Sequence, residues 1–202
     1  MEIICLPYGP LASNMYLADT RSGCFIIDPS VYPDRIPEEN MPVRLDAVLI
    51  THGHFDHINA VDKWAELYPE AKVYMSAEDF DMIKDPYKNG SSSFAEMCVY
   101  KTKVNDIDGI NLDILKIIKT PGHSKGSICL LFDEDGKKAL FTGDTLFAGS
   151  VGRSDLYGGS EKELVESLKK LKTVDADVVV LPGHGPSSTM GRELKTNPFF
   201  NF

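Results

Sequence analysis

The sequence predicts a single α/β domain, and three observations lead there. Apolar runs of strand length recur along the chain with turn residues between them. Stretches with helical spacing interrupt those runs. Histidines and aspartates stand just past the carboxyl ends of several runs, where α/β sheets build their sites. With 202 residues, 43% hydrophobic and 25% charged, the chain fits one domain over residues 1–202 better than two.

"MEIICLP", "NMYLA" and "GCFIIDP" open the chain as strands, the last two joined by the polar turn "DTRSG", and predict an N-terminal β-meander. "LDAVLIT" (45–51) is continuously apolar, as expected of a strand covered on both faces. Beyond it Ile58, Val61, Ala65 and Tyr68 recur at helical spacing with Trp64 on the same side, and Pro69 ends the pattern. "AKVYMS" (71–76) reads as a strand and "AEDFDMIKD" as a helix ended by Pro86. Residues 87–105, including "KNGSSSF", are the least patterned stretch, suited to a loose lid or a surface insertion.

"LDILKIIKT" (112–120) is a strand, and "SICLLFDEDGKKALFTGD" is two strands joined by the turn "EDGK". "GSEKELVESLKKLKTV" sets Ser160 and Glu163 at capping-box spacing ahead of Leu164, Leu168 and Leu171 on one face, which predicts a helix. "DVVVLPGHG" (177–185) is the last strand, and it too delivers a histidine just past its apolar run.

A formal net charge of −9 argues against a nucleic-acid or anionic-membrane partner, since the overall field repels both. An anionic substrate must be attracted locally. The first residues show no basic, apolar leader pattern, so a cytoplasmic location is expected. Cys5, Cys24, Cys98 and Cys129 form no C-x-x-C pair and three sit in apolar runs, so buried free thiols are expected.

The stretch "LITHGHFDH" (49–57) crowds three of the five histidines, His52, His54 and His57, around Asp56. His52 and His54 at i and i+2 on an extended segment point to one side and can chelate one ion. Asp56 and His57, where the chain turns into a helix, can face a second. His123 and His184 could each close one of those half-sites, with Asp144 a carboxylate able to bridge both ions. A mixed imidazole and carboxylate set without thiolate favours zinc, with iron or manganese possible. Its incomplete coordination suits catalysis better than a structural role.

These residues match a known pattern: the sequence resembles the metallo-β-lactamase fold superfamily, whose H-x-H-x-D-H stands here as His52-Gly53-His54-Phe55-Asp56-His57. The later signatures follow in order as "TPGHSKGS", "FTGDTLF" and "LPGHGP". The resemblance implies a four-layer αβ/βα sandwich with His52, His54 and His123 on one metal, Asp56, His57 and His184 on the other, and Asp144 bridging. "GDTLFAGSVGRSDL" and the tail "PGHGPSSTMGRELKTNPFF" are similar to the glyoxalase II group, in particular a compact bacterial branch. Larger members add a C-terminal helical domain that grips glutathione, which this chain is expected to lack. Arg153 matches a basic position that contacts the substrate's anionic end, although Asp155 stands where an aromatic is usual; the alternative role for Arg153 is an ion pair with Asp155.

The expected chemistry is hydrolysis of a small acyl thioester. Two divalent ions outweigh the liganding aspartates, so the site is locally positive inside an acidic protein. Metal binding lowers the pKa of water from about 15.7 to about 7, giving hydroxide at neutral pH, which Asp56 orients. Two rivals are a persulfide dioxygenase with a single iron, whose family is similar in "THGHFDH" and "GRSDL" but differs from "PGHGPSST" at the final histidine motif, and a lactonase, which opens a cyclic ester with the same hydroxide.

Overall fold

The computed structural model describes residues 1–201; Phe202, the last residue of the expected 1–202 domain, lies outside the described residues. The meander forms as β1 (Glu2–Tyr8), β2 (Ser13–Thr20) and β3 (Gly23–Ile27), paired antiparallel. β4 (Ala47–Leu49), β5 (Lys72–Met75) and β6 (Val104–Asp106) add to β3 in parallel, and the six strands lie in chain order.

A second sheet begins with β7 (Leu115–Lys119), β8 (Ile128–Glu134) and β9 (Lys137–Gly143), paired antiparallel. β10 (Leu146–Phe147) and β11 (Ser150–Val151) make a small separate hairpin. β12 (Val179–Pro182) then returns parallel to β9, and β13 (Ser188–Thr189) takes the edge, giving the order β13-β12-β9-β8-β7. The helices are α1 (Phe55–Ile58), α2 (Val61–Leu67), α3 (Glu161–Leu171) and α4 (Met190–Thr196). No helix among the described residues is long and apolar enough to cross a membrane.

Strand alternation decides which layer each side chain joins. Phe25, Ile27 and Leu49 from the first sheet pack with Leu130, Phe132 and Phe141 from the second, filling the space between the sheets. Ile26 and Val48, on the opposite face, pack with Ile58, Val61 and Trp64 of the first helices. Cys129 and Leu140 do the same with Leu168 and Leu171 of α3. The result is the αβ/βα sandwich, and β4, buried at all three positions, is covered on both faces as its apolar run predicts.

The α3 helix starts as its capping box requires, with the Ser160 side chain accepting from the Glu163 amide. Elsewhere tertiary contacts override local pattern. The single helix expected from Ile58 to Tyr68 is broken at Ala60, whose amide donates to Pro29 O at 2.9 Å and not to a carbonyl of the preceding turn. The helix expected over "AEDFDMIKD" is two 3-10 turns, Ala77–Asp79 and Met82–Lys84, because the Asp79 carboxylate is drawn inward to amides of other loops. The thiols are free as expected, but only Cys129 is buried; Cys5 is exposed on the outer strand β1.

Candidate metal centre

β9 and β12 run side by side in the same direction, so Asp144 and His184 leave the second sheet at one end. That end abuts the carboxyl end of β4: Ile128 donates to Thr51 O at 3.0 Å, and Asn14 donates from its amide to Gly183 O (2.7 Å) and from Nδ2 to Pro182 O (3.0 Å). The site therefore lies on the seam between the two sheets. A side chain at Gly183 would fill it, since a Cβ there would lie 2.2 Å from Asp144 Oδ1 and 2.7 Å from His57 Cε1.

Around this seam the seven residues singled out by the sequence come together. Ligand atoms of His52, His54 and His123 lie within 4.8 Å of one another, and so do those of Asp56, His57 and His184. Asp144 stands between the groups: Oδ2 is 3.5 Å from both His123 Nε2 and His184 Nε2, and Oδ1 is 3.4 Å from His57 Nε2. Arg153 takes the alternative role in this structure, its guanidinium gripping Asp155 through two bonds of 2.7 Å on the surface. Its carbonyl nevertheless reaches the centre by accepting from His123 Nδ1 at 2.7 Å.

Outer partners fix which ring nitrogen faces inward. The Thr51 hydroxyl donates to Asp28 Oδ2 at 2.7 Å, so the 3.0 Å contact from His52 Nδ1 must be a donation to Thr51 Oγ1. His52 Nε2 is left as an acceptor. It is buried without a hydrogen-bond partner, as are His54 Nε2 and Asp144 Oδ1. Buried lone pairs without donors are costly in an apolar interior, and a cation would satisfy those of His52 Nε2 and Asp144 Oδ1, whereas His54 turns Nδ1 toward His123 Nε2 at 2.8 Å. His184 Nδ1 donates to Leu11 O at 2.9 Å, and His57 Nδ1 to Asp28 Oδ2 at 3.0 Å.

Two supporting carboxylates escaped the sequence reading. Asp28 forms a third group with His52 and His57, but its oxygens already accept from the Thr51 amide and hydroxyl and from His57, so it serves to hold the ligands. Its φ of 52°, unusual for a non-glycine, marks backbone strain of about 1–3 kcal/mol at this point. The signal was present, since "IIDP" ends a strand as the other ligand runs do. Asp79, 1% exposed, accepts from Gly53 N (3.0 Å), Ser124 Oγ (2.7 Å) and Gly126 N (2.6 Å), clamping the loop of His52 and His54 to that of His123. Burial pushes its carboxyl up against the pull of those donors. Nothing in "SAEDF" announces that role.

Electrostatics divide the centre. Burial, reinforced by the other imidazoles, holds His52 well below the ordinary histidine range; burial and His123 put His54 at about 3. Burial also opposes charge on His57, but Asp56, Asp144 and Asp28 outweigh it and raise that imidazole to about 9. His184 rises in the same way to about 10, through Asp144 and Asp56. Burial would lift Asp144, yet His57, His184 and His123 hold it at about 2, and Asp56 is likewise depressed by His57 and His184. Without a cation, His52 and His54 are neutral, while His57 and His184 join Asp56 and Asp144 in a network of charged imidazoles and carboxylates.

The sequence profile described as "Metallo-beta-lactamase superfamily" matches residues 8–184. Hydroxyacylglutathione hydrolase GloC of Haemophilus influenzae is 31% identical, over 100% of this chain and 99% of that protein. Among solved structures, BLEG-1 B3 metallo-beta-lactamase superposes with a TM-score of 0.88 at 29% identity, covering 100% of both chains. TTHA1623 in a di-iron-bound form gives a TM-score of 0.85 at 34% identity, over 97% of this chain and 99% of that one.

Proposed function

The chain belongs to the metallo-beta-lactamase superfamily, and from that premise we propose that it is a metal-dependent hydrolase of small acyl thioesters. The observation that supports this is the set of ligand atoms converging at the seam, among them the unpartnered His52 Nε2 and Asp144 Oδ1 and the His54 Nδ1 that lies 2.8 Å from His123 Nε2. We assign His52, His54 and His123 to one divalent ion, Asp56, His57 and His184 to a second, and Asp144 to both. Zinc suits this thiolate-free set, and iron or manganese is accepted by the same donors.

When bound, the ions supply Lewis acidity toward the acyl oxygen and lower the pKa of water to about 7. The chain's own residues do the positioning. Asp28 and the Leu11 carbonyl hold the outer nitrogens of His57 and His184, and the Arg153 carbonyl holds that of His123. Asp56 meets Ser13, His57 and His184 through Oδ2, and we give its Oδ1 the task of orienting the attacking water. A substrate anion that engaged the Arg153 guanidinium through Nε and Nη2 would have to displace Asp155.

A thioester is preferred over other acyl compounds on the full-length similarity to GloC. The second triad, Asp56, His57 and His184, favours two ions over the single iron of a dioxygenase. The test is metal quantification of the purified protein, then a panel of thioesters, lactones, a β-lactam and a persulfide with dissolved oxygen monitored. Two metals per chain with thiol release and no oxygen uptake are expected. A fully metallated protein that releases no thiol ends the thioesterase reading, and oxygen consumption with a persulfide would replace it.

A further inference from the structure

Resting on the two-ion reading of the centre, we propose that Glu193 on α4 and Asn197 at its end are positioning residues for His123 and His184, which they set through the β10–β11 hairpin. Glu193 is 0% exposed, and no basic side chain among the described residues pairs with it. Its oxygens accept from three neutral groups instead. The Gly149 amide (2.8 Å) and Asn197 Nδ2 (2.9 Å) reach Oε2, and the Ser188 hydroxyl reaches Oε1. Burying a carboxyl group is costly unless donors serve it, so the position repays its cost only if the bond to the hairpin matters.

Asn197 is buried as well. Its Nδ2 donates to Ser150 O at 3.0 Å and lies 3.4 Å from Phe147 O, while Oδ1 accepts from the Phe199 amide at 3.1 Å. The hairpin is thus gripped on both strands and at its tip. β10 and β11 are two residues long and join neither main sheet, so no ladder fixes them in place. Among the described residues, every hydrogen bond that residues 147–151 receive from outside the hairpin comes from these two side chains.

The strip held in this way runs along both halves of the centre. The Phe147 ring meets the His184 ring edge-on, with centroids 6.0 Å apart at 81°. Two residues past β11, the Arg153 carbonyl accepts from His123 Nδ1 at 2.7 Å. Between them the backbone is pressed against the bridging residue: a Cβ at Gly152 would lie 1.8 Å from Asp144 O and 3.1 Å from His123 Nδ1. With so little slack, a hairpin released at Gly149 and Ser150 carries the Arg153 carbonyl and the Phe147 ring away from the imidazoles they brace.

The test compares the parent with Glu193→Ala, Glu193→Gln and Asn197→Ser, with Trp64→Ala as a variant that loosens the core elsewhere. Gln keeps an oxygen for Gly149 and Asn197 and turns its NH2 to the Ser188 hydroxyl; Ser keeps a cap for Phe199 but gives up both hairpin carbonyls. Zinc affinity is read by competition with a chelating dye, and the imidazole resonances of the five histidines by NMR of the metal-free protein. Glu193→Ala and Asn197→Ser should weaken zinc about tenfold, the low end for outer partners of a metal site, and shift the His123 and His184 resonances. Glu193→Gln should stay within about twofold of the parent, and Trp64→Ala should leave zinc affinity and both resonances in place. Unchanged zinc affinity, unmoved His123 and His184 resonances, or the same changes in Trp64→Ala overturn the proposal. If Glu193→Ala does not fold, Asn197→Ser decides alone. A parent that holds fewer than two zinc ions fails the two-ion reading instead, and the resonances then judge the brace: shifted His123 and His184 support it, unmoved ones overturn it.

Discussion

Replacing Asp79 with alanine removes the acceptor shared by three donors on two ligand loops. Ser124 Oγ keeps Ser127 Oγ as a partner at 2.8 Å, so the amides of Gly53 and Gly126 become the orphans. At about 1–3 kcal/mol for each buried unsatisfied donor, Asp79→Ala should cost about 2–6 kcal/mol. That is a large part of the roughly 5–15 kcal/mol that holds a domain together. Asp79→Asn keeps the shape and one acceptor but turns an NH2 toward a donor, so about 1–3 kcal/mol is expected. Losing the clamp should also weaken zinc about 10–100-fold at the His52, His54 and His123 half. The extra stability that zinc confers should therefore shrink by about 1.4–2.8 kcal/mol. Urea unfolding in chelator and in zinc, with a competitive zinc titration, reads both effects. An alanine variant within about 0.5 kcal/mol of the parent, binding zinc equally, would refute the clamp.

Asp28→Ala should free the outer nitrogen of His57 and the Thr51 hydroxyl, lowering zinc affinity at the second half about 10–100-fold by the same titration. In chelator, the raised pKa values of His57 and His184, about 9 and about 10, mean that folding favours their charged forms. Their contribution is complete below the ordinary value of 6.5 and is lost as pH climbs through 9 to 10. Asp144, held at about 2, contributes above 3.8 and loses that contribution as pH falls toward 2. Metal-free stability should therefore peak between those limits, and a urea midpoint that stays flat from pH 6.5 to 10 would contradict the charged network. Trp64→Ala, at a side chain that is fully buried and donates to Val31 O at 2.7 Å, should cost about 3–5 kcal/mol with zinc stoichiometry retained. Arg153→Ala should change stability by less than about 0.5 kcal/mol, because its pair with Asp155 is solvent-exposed.

Legibility followed the range of the interactions. The longer strands announced themselves because alternation and apolar runs are local, as in β8, where Ile128, Leu130 and Phe132 face one core and Cys129 the other, whereas the two- and three-residue strands β6, β10, β11 and β13 carry too short a pattern to be read. The convergence of the candidate ligands was legible because a chelating pair must be close in sequence and the remaining donors sit past strand ends. The break at Ala60 and the 3-10 turns at Asp79 were not, since each depends on a hydrogen bond to a segment remote in sequence. Arg153 shows the same limit: its side chain had a legible partner two residues away, but the use of its carbonyl depends on His123 arriving from another loop.

The location of the donors on the seam makes the centre a proofreader of assembly. Residues up to β6 supply His52, His54, Asp56 and His57, while everything from β7 onward supplies His123, Asp144 and His184, so neither fragment holds all the residues proposed for either ion. During synthesis the proposed two-ion cage is incomplete until β12 has docked and delivered His184, and afterwards a hinge-like parting of the two leaves would be expected to release the ions. Zinc retention would then report the closure of the whole molecule, and two separately produced fragments should recognise each other better in its presence.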